Sequence, residues 1–173
     1  MSQNPRKVNS PFQIAFQELE SFHDLNAADL WKVISKDRIK ARYISPFAII
    51  LYEEKTGEYP KIGKNAWIGH FCILDGSQGL AIGKSCNISC GVQIYTHSTH
   101  RRCTLELDKE KGKVKIGDHV YLGPNSIVTL DCKIDSHAMI APLSVLTPGT
   151  HVKEYEFYAG SPAVKKGDMR DKK

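Results

Sequence analysis

The chain has 173 residues, 41% of them hydrophobic and 25% charged, which suits one globular domain with a single core. Its net charge of +5 is scattered without a basic stripe, which argues against nucleic acid as a partner while suiting an anionic small molecule. No run of about 18 apolar residues exists and the opening MSQNPRKVNS lacks the apolar stretch of a signal peptide, so no membrane span and a cytoplasmic location are expected.

Residues 1–42 read as an N-terminal helical segment, with helices over 11–20 and 26–40. In the second, Asn26 is an N-cap and Leu30, Val33, Ile34 and Ile39 give a partly apolar face, which packs against the rest of the chain or a neighbouring subunit. From Tyr43 a beat of six begins, with Ile44 and Ile50 on register and the polar Thr56 at the next place. It then becomes regular through Ile62, Ile68 and Leu74, through Ile82, Ile88 and Ile94, and through Ile116, Leu122, Val128, Ile134, Ile140, Leu146 and Val152. Neither a helix of 3.6 residues per turn nor a strand of period two generates a period of six, so this is an internal repeat.

Four residues after most anchors comes a small or modest side chain, among them Ala66, Cys72, Cys86, Ser126, Cys132, Ala138 and Ser144, whereas Gln78 and Ser98 fit that place poorly. Each hexad describes a short strand and a corner, and three hexads make a triangular coil of 18 residues. Residues 18 apart then stack at about 4.8 Å, the inter-strand distance, and several coils must stack before the apolar row is buried. The repeat body is assigned to residues 43–154. The beat slips by two residues between Leu74 and Ile82, and by sixteen between Ile94 and Ile116, where HRRCTLELDKEKGKVK, residues 100–115, reads as an extruded loop. Neither slip need disturb the order of the faces. After Val152 the anchors stop, and residues 155–173 read as a C-terminal tail.

Five cysteines without a CxxC pair argue against a zinc ribbon or a disulfide framework, and Cys72, Cys86 and Cys132 read as buried fillers. His119 and His137 are 18 apart and hence stacked, but a zinc site needs at least three protein ligands and no third one matches, so no metal is assigned.

Four phrases in order, WIGHFCILDGSQGLAIG, GVQIYTHST, KIGDHVYLGPNSIV and AGSPAVKKG, resemble the bacterial hexapeptide-repeat acyltransferases, the group that includes galactoside, maltose and surface-polysaccharide acetyltransferases. The resemblance implies a mainly β fold, a left-handed parallel β-helix, in a homotrimer with active sites between subunits. It implies acetyl-CoA as co-substrate and a sugar or sugar nucleotide as acceptor, with surface polysaccharide or lipopolysaccharide synthesis as the setting. The alternative of the same fold is a zinc-dependent hydratase like carbonic anhydrase, or a scaffold without catalysis.

Acetyl transfer from a thioester to a hydroxyl or amine needs a base for the acceptor proton, and histidine, with an ordinary pKa of about 6.5, suits that task. The resemblance puts the base at the start of the extruded loop, where His97 and His100 stand. His97 is favoured because it adjoins the rigid coil, while related members with a later histidine keep His100 in play. Asp75 follows Leu74, the anchor one coil below Ile94, and is a candidate to orient the imidazole; its other reading is a turn residue. A backbone N–H at a coil edge, Gly123, is the candidate oxyanion donor. The resemblance points to Ala141, Ser144 and Thr147 and to Lys165 and Lys166 for coenzyme A, with Leu143 standing where relatives often have glycine. His70 is a candidate for the acceptor pocket.

Overall fold

A hexad holds one inward and one outward strand position, because successive side chains in a strand point to opposite sides. The computed structural model describes residues 39–53 and 58–171 and has this arrangement throughout. Each anchor and the residue before it form a short strand, and the strands stack in parallel into three sheets. Sheet A contains Ile49–Leu51, Ile73–Asp75, Gln93–Ile94, Ile127–Val128 and Val145–Leu146. Sheet B contains Lys61–Ile62, Leu80–Ile82, Val114–Ile116, Lys133–Ile134 and His151–Val152. Sheet C runs from Tyr43–Ile44 through Trp67–Ile68, Asn87–Ile88, Tyr121–Leu122 and Met139–Ile140 to a terminal hairpin. The described coils thus form a prism whose axis is lined by the anchors, nearly all of them fully buried. Each such side chain contributes about 1.5–3 kcal/mol of hydrophobic burial.

The outward positions give the sheets different characters. Sheet A shows Ile49, Ile73, Gln93, Ile127 and Val145, whereas sheet B shows Lys61, Ala81, Lys115, Lys133 and His151. The corners are built by a rule as well. Three residues after the anchor the backbone turns left-handed, at Asn65, Phe71, Ser85, His119, Asn125, Asp131, His137, Leu143 and Tyr155, as well as at Gly91 and Gly149. Two residues after the anchor stand Pro46, Pro124, Pro142 and Pro148. The inter-coil ladder makes little use of the N–H at that place, so proline forfeits nothing there.

From Ile44 to Val152, departures from six all fall at one corner. The steps from Ile50 to Ile62, Leu74 to Ile82 and Ile94 to Ile116 each lead from sheet A to sheet B, in successive coils, and each resumes on the next face. Thr56, the polar residue at the next place of the beat, lies outside the described residues. After the second and third slips the small-residue slot is filled by Leu80 and Val114, both buried, because the slot is fixed by the anchor that follows it. That explains the poor fit of Gln78 and Ser98. The longest excursion carries helix α1 (His100–Leu105), which buries no residue, and returns as Glu110–Lys111 antiparallel to His97–Ser98. It re-enters sheet B at Val114–Ile116, so the expected loop ends before residue 114. Gly112 permits the return: a Cβ there would lie 2.6 Å from the Asp131 nitrogen.

Both ends differ from the sequence reading. Ile39 pairs in parallel with Ile62, so the segment expected to be helical to residue 40 has already joined the prism; the rest of the two expected helices lies outside the described residues. At the other end Tyr158 takes the anchor place, pairing with Ile140, and Glu156–Gly160 folds back on Ala163–Asp168 as a hairpin. The beat continues there with an aromatic side chain in place of an aliphatic one.

Candidate active site

The eight-residue step between Leu74 and Ile82 forms a turn, closed by a Gly79 N–H to Gly76 carbonyl bond of 3.0 Å, with Gly79 at a φ of 102° that favours glycine. The turn aims one backbone donor at the Asp75 carboxylate and one at the coil above. The Ser77 N–H reaches Asp75 Oδ1 at 2.9 Å, and the Gln78 N–H reaches Thr96 Oγ1 at 3.1 Å. Asp75 Oδ2 accepts the Thr96 N–H at 2.9 Å and meets His97 Nδ1 at 2.8 Å. Asp75 has no solvent exposure. Burial pushes its carboxyl pKa upward, but hydrogen bonds from Ser77 and Thr96 outweigh that and hold it below the ordinary carboxylate value. An ionised carboxylate only accepts, so Nδ1 of His97 is the donor in this contact, and Nε2 has no hydrogen-bond partner among the described residues.

His97 stands at the mouth of a cleft of about 430 Å³, whose lining includes Tyr95, His100, Glu110, Thr129, Leu130 and Pro148. The wall is made by the excursion on one side and the next two coils on the other. His100 also lines the cleft, at the first turn of α1, with Nδ1 2.8 Å from Ser98 Oγ and 3.7 Å from Glu110 Oε2. Its side chain is 62% exposed against 29% for His97. The structure therefore unites His97 with Asp75 and leaves His100 at the solvent edge of the same cleft.

Other candidates lie elsewhere on the prism. The Gly123 N–H donates to the Ile140 carbonyl at 2.8 Å, and Gly123 lies at the corner between sheets C and A. That N–H is engaged in the ladder, and Gly123 does not line the His97 cleft. Ser144 is buried, and its Oγ accepts the Gly160 N–H at 3.1 Å. The Ala141 N–H is spent on Tyr158. Thr147 is exposed and precedes Pro148 of the His97 cleft. Lys165 pairs with Glu156 at 2.9 Å and Lys166 is exposed, both on the terminal hairpin. His70 sits at the corner between sheets C and A, with Nδ1 2.6 Å from Ser45 Oγ and Tyr43, Phe47 and Phe71 around the ring.

His119 and His137 do stack, with ring centroids 5.0 Å apart and planes at 4°, and Tyr155 and the Arg170 guanidinium continue the column. Parallel imidazoles at that spacing hold equivalent nitrogens too far apart to share a zinc ion at about 2.1 Å each. Among the described residues no three metal-ligating side chains converge. The three buried cysteines fill the slots expected for them.

What the repeats did not announce was the support for His97. Ser77 and Gln78 looked like an interruption, although the signal was present: the insertion lies one coil below the histidine on the same corner.

No protein-family model matches the chain. A hexapeptide-repeat-containing acetyltransferase from Vibrio cholerae, solved with acetyl coenzyme A, aligns with 94% of this chain and 92% of its own, with a TM-score of 0.64 and 21% identity. A maltose O-acetyltransferase from Clostridium difficile aligns with 94% of this chain and 90% of its own, with a TM-score of 0.61 and 18% identity. The fold is that of the hexapeptide-repeat acetyltransferases. An N-acyltransferase of this fold, AntD from Bacillus cereus, solved as a point mutant with dTDP and coenzyme A, gives a TM-score of 0.57 at 19% identity over 85% of this chain and 91% of its own. Among curated proteins of known sequence, the bifunctional protein GlmU from Clostridium beijerinckii is 29% identical over 119 residues, 64% of this chain and 24% of GlmU. The chain thus spans about a quarter of that relative's length.

Proposed function

We propose that this chain is an acyl-CoA-dependent acetyltransferase that moves an acetyl group to a hydroxyl or amine of a sugar or sugar nucleotide, with His97 as general base. The observation that carries the reading is His97 itself: Nδ1 anchored on the buried Asp75 carboxylate, and Nε2 free at the mouth of a cleft. Nε2 takes the acceptor proton as the acceptor oxygen or nitrogen bonds to the thioester carbonyl carbon. Collapse of the tetrahedral intermediate then breaks the C–S bond, and the leaving thiolate receives the proton from the imidazolium. Support for the donor comes from the Vibrio cholerae neighbour solved with acetyl coenzyme A, and support for a nucleotide-linked acceptor from the AntD complex with dTDP.

A trimer with sites between subunits is part of this proposal. It is supported by sheet A, whose outward row of Ile49, Ile73, Ile127 and Val145, interrupted by Gln93, is largely apolar and borders the His97 corner. Surface polysaccharide or lipopolysaccharide synthesis in the cytoplasm is the setting that accords with a sugar acceptor. No helix among the described residues is long and apolar enough to cross a membrane.

The test is thiol release from acetyl-CoA with a panel of free and nucleotide-linked sugars. Wild type should turn over with at least one acceptor, and His97→Ala should lose about 10²–10⁴-fold in kcat. A His97→Ala protein with full activity, or silence of the wild type with every acceptor, overturns the proposal.

A further inference from the structure

Lysines that look scattered along the chain are gathered by the fold onto one side of the prism. No outward strand position of sheet A or sheet C carries a charged side chain among the described residues. Sheet B presents Lys61, Lys115 and Lys133 outward, with no carboxylate in the row.

The returning arm of the excursion extends this row toward the cleft. It carries Lys109, Lys111, Lys113 and Lys115 at every second residue, and because Val114 and Ile116 are buried, Lys113 and Lys115 face outward. Lys111 pairs with His97. The Lys113 stem lies over the turn that supports Asp75, since a Cβ at Gly79 would come 3.2 Å from Lys113 Cγ. The basic track therefore begins beside the histidine and runs onto sheet B.

Resting on the reading that the acceptor is a sugar, we propose that it is an acidic glycan chain, bearing carboxylate or phosphate groups, held along this track by Lys111, Lys113 and Lys115. Lys61, Lys111, Lys113 and Lys115 form no ion pair among the described residues, whereas Lys133 meets Asp135 at 2.9 Å. Glu110, the acid within the arm, is engaged by Arg101 at 3.2 Å, and Asp131, beside Gly112, is outnumbered by the four lysines. Lys115 is stacked directly on Lys133, a like-charge pairing that costs stability and that a bound anion relieves. From Lys111 to Lys115 the extended arm covers up to about 13 Å, and the step to Lys133 adds about 4.8 Å. That length exceeds one sugar ring and suits a chain. Single-stranded nucleic acid is held by aromatic platforms as well as charge, and neither the arm nor the outward row of sheet B has a Phe, Tyr or Trp.

The test is binding without acetyl-CoA, followed by fluorescence anisotropy, of a labelled oligogalacturonate, a polyglycerol phosphate oligomer, the neutral methyl ester of the first, and a single-stranded DNA. Wild type should bind the carboxylate or the phosphate polymer at least about tenfold more tightly than the ester, with affinity falling as salt rises. Replacing Lys111, Lys113 and Lys115 together by Ala should weaken that binding about tenfold or more and reduce the salt slope by about 2, while replacement by Arg should restore it to within about threefold. Alanine replacement at exposed positions should leave melting unchanged. Wild type without preference for an acidic polymer, or an alanine variant that binds it within about twofold of wild type, overturns the proposal. So does tighter binding of the DNA than of either acidic polymer, or an alanine variant whose main defect is a raised KM for acetyl-CoA. His97→Ala should bind the acidic polymer as wild type does. If it also keeps full activity, the general-base reading falls and the track stands; if it is inactive while the alanine variant binds normally, only the track is refuted.

Discussion

His97 and His137 hold the same place in the repeat, three residues after an anchor, and the chain makes entirely different use of them. At His137 the coils above and below are regular, and each turns left-handed at that residue, so regularity delivers a ring onto a ring: His119, His137, Tyr155. At His97 the coil below carries two extra residues and the coil itself runs on into an excursion. The ring there meets a buried carboxylate, and the backbone pairs with Lys111. Regular hexads make a surface, and irregular ones, stacked at a single corner, make a site.

Three substitutions break or sharpen that contrast. Asp75→Asn should have the largest effect, a loss of about 10²–10⁴-fold in kcat, because it replaces the acceptor that fixes the His97 tautomer. Since the folded Asp75 pKa lies below its ordinary value, its stabilisation is present above the ordinary carboxylate range and lost as pH falls through the folded pKa. Acid melting of wild type should therefore be steeper than that of Asp75→Asn, and coincident curves would count against a supported carboxylate. Next comes the frame beneath the site. Burial raises the Cys72 thiol from 9.0 to about 11, so its contribution is complete below pH 9 and lost as pH rises through about 11. Alkaline thermal melts should show a loss on the order of 2 kcal/mol that is absent in Cys72→Ala. The smallest effect belongs to the regular column. His137→Ala should cost about 0.5–1.5 kcal/mol of stability from the lost ring contacts while acetyl transfer stays within about twofold. A large loss of activity would mean that the stacked column serves the chemistry after all.

Most of the prism was legible in the sequence, because an inward aliphatic at every sixth residue leaves few other ways to bury a row. The register of Ile62 to Val152, the stacking of His119 on His137 and the burial of Cys72, Cys86 and Cys132 all follow from counting. Counting failed where the anchor changed its chemistry, at Tyr158. At the site, counting placed Asp75 one coil below His97 but said nothing of hydrogen bonds. The engagement of Gly123 by the ladder depends on which way its peptide plane faces at a corner. Residue spacing does not encode that orientation.

The steps of twelve, eight and twenty-two residues each bring the chain back to the same next face. Insertion length at this corner is therefore uncoupled from core register, and a segment grafted there answers only to its neighbours above and below. Such a chain can exchange one recognition loop for another by recombination at a single corner, with no compensating change along the axis. Under the proposed function, the acceptor is then the most replaceable property of the molecule, and the prism behind His97 the least.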